Sequence, residues 1–162
     1  MTELPHIQIL TRRSFVVSAA AGLCLSSRLA HAETPSSGTL ERSTLFNEDF
    51  RALTAGAAPV EGKIVLELPE IAENGNFVPV TITVDSPMTA ENHVKAIHLL
   101  STSNPVAKVA TFHLSPFNAV ARVQSRMRLS KTQDVIALAQ MSDGTLAIAT
   151  TLVKVTIGGC SG

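Results

Sequence analysis

Beyond Gly62 apolar and polar residues alternate with a period of two, and that alternation predicts sheet rather than helix. It is clearest over Val78–Asp85, where Val78, Val80, Ile82 and Val84 face one way and Pro79, Thr81, Thr83 and Asp85 the other. A strand over Lys63–Leu68 precedes it, and Asn74-Gly75 between the two is a hairpin signal because both residues accept positive φ. Pro79 has no N–H to donate, which predicts an edge strand or a proline nitrogen facing outward. Further strands are predicted over His93–Ser101, Ala107–Leu114, Ala119–Leu129, Asp134–Met141 and Thr145–Ile157, the last two joined by a hairpin at Ser142-Asp143-Gly144. The strand over Asp134–Met141 is apolar on both faces: Ile136 and Leu138 on one, Val135, Ala137, Ala139 and Met141 on the other. Such a strand lies deep in a sandwich or meets another subunit.

Period 3.6 occurs once. Phe46, Phe50 and Leu53 share a helix face, Asn47 is the expected cap, Glu48 and Asp49 suit the positive end of the dipole, and Gly56 can end the helix. Seven short strands with regularly spaced turns, after one short helix, predict an all-β, immunoglobulin-like sandwich over residues 44–157. Residues 33–43 are polar and read as a flexible lead-in.

The N-terminal segment has a different character. Thr11-Arg12-Arg13-Ser14-Phe15 reads as a twin-arginine export signal, followed by an apolar stretch to Leu29 and an A-x-A cleavage site at Ala30-His31-Ala32. The stretch is shorter than the ~20 residues of a membrane span, so residues 1–32 are expected to be removed and no stable membrane anchor to remain. Cys24 in this segment follows Leu23, where a lipoprotein signal needs a small residue. The expected location is the periplasm, reached by a pathway that carries folded cargo. Removal takes away Arg12, Arg13, Arg28 and Glu3, leaving ten basic and twelve acidic residues and a net charge near −2. That balance gives no basis for nucleic-acid binding.

One of the two cysteines goes with the signal. The other, Cys160, sits in Gly158-Gly159-Cys160-Ser161-Gly162 with no bulky neighbour. A single cysteine in an exported protein points to intermolecular pairing or to a reactive thiol. Glycine serves where backbone must bend freely or approach another surface closely. Residues 158–162 are therefore predicted to form a flexible carrier arm, with Gly158, Gly159, Ser161 and Gly162 supplying the flexibility. An extended arm would carry the sulfur roughly 10 Å beyond the sheet. No activating base lies near it in sequence, and at an ordinary thiol pKa of about 8.5 only a few per cent is thiolate at neutral pH. A carrier thiol activated by whichever enzyme receives it fits better than a self-sufficient catalyst. The alternative is a structural exported protein that uses Cys160 for an intermolecular disulfide.

The remaining candidates are weaker. Arg122, Arg126 and Arg128 lie on one strand face, which either is simply solvated or steers anions and partners. His93, His98 and His113 invite a metal reading, but the odd spacing of the first two sets them on opposite faces of a strand. No metal site, cofactor motif, nucleophile elbow, phosphate loop or dinucleotide fingerprint is legible. No cofactor and no catalytic residue are expected.

Several segments resemble the SoxY family, the sulfur-carrying subunits of the thiosulfate-oxidising Sox system. They are VKVTIGGC at 153–160, LPEIAENG at 68–75, VDSPMT at 84–89, KAIH at 95–98, ATFHL at 110–114 and MSDG at 141–144. In order, they span most of residues 45–160. The chain departs at Ser161, where that family has glycine. The resemblance implies that Cys160 is the covalent attachment point for sulfur intermediates. It also implies a SoxZ companion subunit, a haem-containing thiosulfate-coupling enzyme, a sulfate-releasing hydrolase and a sulfane dehydrogenase. It makes the chain a carrier and substrate platform, not an enzyme.

Overall fold

A computed structural model describes residues 40–159. The predicted signal segment, most of the lead-in, and Cys160, Ser161 and Gly162 lie outside the described residues. The helix, α1, spans Thr44–Thr54 and starts three residues before the expected cap. Ser43 is the cap: its hydroxyl accepts from the Phe46 N–H at 3.1 Å, while its own N–H donates to the Thr102 carbonyl at 2.8 Å. Tertiary anchoring of Ser43 thus selects one capping residue over another, and Glu48 and Asp49 fall beyond the first turn. The apolar face forms as predicted. Phe46, Phe50 and Leu53 pack on Leu100, Ala107, Ile136 and Ile148.

Among the described residues eight strands make two sheets. They are β1 (Ile64–Glu67), β2 (Ile71–Asn74), β3 (Val78–Val84), β4 (Val94–Ser101), β5 (Lys108–His113), β6 (Ala121–Met127), β7 (Gln133–Met141) and β8 (Leu146–Ile157). One sheet has the order β1-β3-β6 and the other β2-β8-β7-β4-β5. The molecule is the immunoglobulin-like sandwich expected, with one strand more than its sequence reveals. That strand is β2. It leaves the first sheet after Pro69 and pairs parallel to the end of β8, with Ile71 opposite Lys154 and Asn74 opposite Ile157.

The expected hairpin at Asn74-Gly75 is therefore not formed. β1 and β3 are antiparallel neighbours, but the connection between them crosses to the other sheet and back, and neither Asn74 nor Gly75 has positive φ. The second hairpin does form: Gly144 takes φ 87°, and the Asp143 carboxylate accepts from the Thr145 N–H at 2.8 Å and its hydroxyl at 2.7 Å. Those bonds, the hydroxyl's first, hold Asp143 below the usual carboxylate range. Pro79 lies in the middle strand of its sheet, not an edge strand. Yet β1 runs only opposite Thr81–Val84, so Pro79 has a strand on one side alone, which is the condition proline tolerates.

The core fills the space between the sheets. Val78, Val80, Ile82 and Val84 of β3 and Met127 of β6 meet Ile97 and Leu99 of β4 and Val135, Ala137 and Ala139 of β7. Each large side chain removed from water here contributes about 1.5–3 kcal/mol. β7 is apolar on both faces because its outer face is also covered: Ile136 lies beneath α1 of the same chain. For that residue, intramolecular packing replaces the subunit contact that the sequence leaves open. β8, at 12 residues the longest strand, pairs with β7 along its first eight and with β2 near its end, and so delivers the chain to Gly158.

Candidate functional site

The predicted arm leaves the body at a seam between the two sheets. Past Val153, β8 outruns β7, and a short series of backbone hydrogen bonds takes over. Gly75 donates its N–H to the Ile157 carbonyl at 2.7 Å and accepts from the Leu129 N–H at 2.8 Å. The Leu129 carbonyl in turn accepts from the Gly159 N–H at 2.8 Å. Gly159 and Gly75 are close enough that a Cβ on Gly159 would overlap the Gly75 carbonyl and the Asn76 nitrogen. A Cβ on Gly75 would overlap the Leu129 carbonyl oxygen, and one on Gly158 the Ser130 carbonyl oxygen. Three backbones share a space that admits no side chain. At Gly158 and Gly159 close approach thus supplies a reason for glycine additional to flexibility.

The wall against which these glycines lie is held from behind by a buried polar network. Gln133 is fully buried and Asn104 nearly so. Gln133 Nε2 donates to Asn104 Oδ1 at 2.8 Å, and Asn104 Oδ1 also accepts from the Ser130 N–H at 3.0 Å. Asn104 Nδ2 donates to the Arg128 carbonyl at 2.7 Å, and the Ser103 N–H donates to Gln133 Oε1 at 2.8 Å. Among the described residues no buried side-chain nitrogen or oxygen lacks a partner. The segment from Arg128 to Thr132 is irregular between β6 and β7, and these bonds tie it to the body. The Thr132 hydroxyl, which accepts from the Val155 N–H at 2.9 Å, ties the same turn to the end of β8.

Of the residues expected to carry function, the structure brings together Gly158 and Gly159 with Gly75, Leu129 and Ser130. Cys160, Ser161 and Gly162 follow directly in the chain but lie outside the described residues. Sequence reasoning missed Gly75, which a hairpin explained too easily, and the Asn104–Gln133 pair, for which polar loop residues carry no visible signal. Arg122, Arg126 and Arg128 are exposed on the outer face of β6 and just past it, as alternation predicted. Arg126 stacks over the Phe77 ring, its guanidinium carbon 4.4 Å from the centroid.

The histidines are dispersed. His93 precedes β4, with Nδ1 3.1 Å from the Thr89 carbonyl. His98 and His113 are on the outer face of β4 and β5, and His98 Nδ1 is 3.0 Å from the Thr111 hydroxyl. Partial burial, then the positive charges of Lys108 and His113, push the His98 pKa down from 6.5. Among the described residues no group of three or more His, Cys, Asp or Glu is placed to hold a metal ion.

Solved structures share this architecture. The sulfur carrier protein SoxY from Chlorobium limicola f thiosulfatophilum superposes with a TM-score of 0.57 at 35% identity, covering 71% of this chain and 100% of its own. A superoxide reductase (neelaredoxin) from Ignicoccus hospitalis superposes at 0.52 with 21% identity, covering 63% of this chain and 85% of its own. At that identity the second likeness shows the fold alone. No curated protein matches the chain. The family described as sulfur oxidation protein SoxY matches residues 50–160, from the last turns of α1 through the whole sandwich to the cysteine. That span takes in the seam and its three glycines as well as the two sheets, and by it the chain belongs to the SoxY family.

Proposed function

We propose that this chain is the sulfur-carrier subunit of a periplasmic thiosulfate-oxidising Sox complex, exported by the twin-arginine pathway. Cys160 holds sulfur intermediates covalently and presents them to partner enzymes. The reading is carried by one observation: the family match runs on to Cys160, immediately past the point where two glycines emerge from a fixed seam. A rigid root and a small-residue tip serve a carrier, because the thiol leaves the body at a constant place and passes narrow openings without obstruction. Tethering also keeps an intermediate from diffusing away between enzymes.

The partners in this reading are a SoxZ-like companion subunit, a haem-containing enzyme that couples thiosulfate to Cys160, a hydrolase that releases sulfate and a sulfane dehydrogenase. The chain itself contributes no catalytic group and no cofactor. Replacing Cys160 with serine tests the assignment: the folded variant is expected to abolish thiosulfate-dependent electron transfer in the assembled system. Retained electron transfer in that variant would exclude Cys160 as the attachment point.

A further inference from the structure

Charge is segregated along this chain although its formal sum is zero. From Asn92 to Gln133 there are six lysines and arginines, Arg122, Arg128 and Lys131 among them, and no aspartate or glutamate. From Val60 to Glu91 the balance reverses, and six acids, Glu67, Glu70 and Glu73 among them, stand against Lys63 alone. All of these charged side chains are exposed.

The fold turns the linear segregation into two flanks. β5 and β6 are the edge strands on one side of the sandwich. β1 and β2 are the edge strands on the other, where the Thr151 hydroxyl of β8, the neighbour of β2, donates to the Leu66 carbonyl of β1. On the outer face of the three-stranded sheet Arg122 and Arg126 of β6 lie opposite the uncharged Thr83 and Pro79 of β3. Glu67 of β1 lies opposite Thr81, so about 10 Å separates the basic strand from the acidic one.

The two flanks meet at the arm root. Gly158 lies against Ser130, which stands between Arg128 and Lys131, and Gly159 lies against Gly75, two residues past Glu73. The offsets are partial: Lys154 sits opposite Ile71, beside Glu70 and Glu73, while Glu41 and Asp134 lie near Lys131 with Arg42 alongside. The arm extends only roughly 10 Å. An enzyme that takes the thiol into its site must therefore bring its own surface against the body around the root. That surface meets positive charge on one side of the arm and negative charge on the other. Complementary charges match in one rotational setting, and half a turn sets like charges together, which is costly.

Resting on the carrier reading, we propose that this charge polarity is a docking surface that orients the enzymes receiving the arm. Such an enzyme is acidic where it faces Arg122, Arg128 and Lys131 and basic where it faces Glu70 and Glu73. Attraction of this kind speeds encounter and fixes register more than it adds affinity. A carrier that visits several enzymes in turn needs both quick arrival and easy departure.

The test measures binding, not turnover. The Cys160→Ser chain, in complex with its companion subunit, is titrated by calorimetry with the haem-containing coupling enzyme. Lys131→Glu and Glu73→Lys, added separately, change the net charge by the same amount in opposite directions. Both are expected to weaken binding, each by about tenfold at low salt. The loss should shrink toward and above 0.1 M salt, where the screening length falls to about 10 Å and below. Arg122→Glu, farther from the root, should weaken binding less. Binding needs no thiol, so the result is separate from the electron-transfer assay of the serine variant, which tests the attachment point. Affinity that rises in one variant and falls in the other would show net charge alone at work and would overturn the proposal. Unchanged affinity in both would overturn it too. Loss of the companion subunit from either variant on size exclusion would assign these charges to that interface and equally overturn it.

Discussion

The middle of the five-stranded sheet and the seam at the arm root are both tightly packed, but by opposite means. At the centre, β7 and β4 are filled on both faces by branched and aromatic side chains: Ile97, Leu99 and Val135 within the sandwich, and Ile136 and Leu100 beneath Phe46. At the seam, Gly75, Leu129, Ser130, Gly158 and Gly159 meet through backbone, and side chains are excluded. The first arrangement stabilises the fold, because apolar area removed from water is the largest favourable term in folding. The second fixes position through close backbone approach, with Leu129 alone among these residues sending a large side chain into the core. A carrier needs both: a body that does not yield, and an exit point for the thiol that does not wander.

Substitution should separate the two. Truncating Leu99, which is buried between the sheets, to alanine is expected to cost about 2–5 kcal/mol in urea unfolding and to leave Cys160 reactivity unchanged in the chain that remains folded. Gly75→Ala should cost less, about 1–3 kcal/mol, because backbone must shift to admit the methyl group. Its effect is local as well: amide hydrogen exchange at Leu129 and Gly159, whose N–H groups the seam holds, should quicken far more than exchange in β4. If Gly75→Ala instead accelerated exchange evenly throughout the sandwich, the seam would be part of the core and the contrast would fail.

The smaller effects concern the periphery. Removing the helix cap with Ser43→Ala should cost about 1 kcal/mol, measured as a shift of the unfolding midpoint with unchanged slope. Asn47→Ala should do much less, since Asn47 is within the helix and does not cap it. pH acts through His98. Burial and the neighbouring Lys108 and His113 disfavour its charged form in the folded chain, so below pH 6.5 the unfolded chain binds more protons. Stability should therefore fall as pH drops from 6.5 through the lower folded-state pKa, then stop responding to this group. His98→Gln should remove that part of the pH dependence.

How much was legible in the sequence follows the same division. Alternation gave the inward and outward faces of β3 and β6 residue by residue, because side-chain period is a property of the strand itself. The helix face was legible for the same reason. β2 was not: four residues, with only Ala72 buried, carry too little pattern, and what places them is pairing with the distant end of β8. Gly75 misled because its requirement is a tertiary approach by Leu129 and Gly159, whereas Asn-Gly in sequence announces a local turn. Ser43 outcompeted Asn47 through a contact with Thr102, again remote in sequence. At the arm, composition pointed to glycine for freedom, and the fold adds that two of those glycines also fit where no side chain can.

The central claim is that Cys160 carries sulfur. Intact-protein mass spectrometry of the chain from cells grown on thiosulfate, with and without reductant, tests it most directly. Reducible adducts that map to Cys160, with masses of a thiosulfonate or of one or more added sulfur atoms, are expected. A bare thiol, or only a disulfide-linked homodimer, would contradict it.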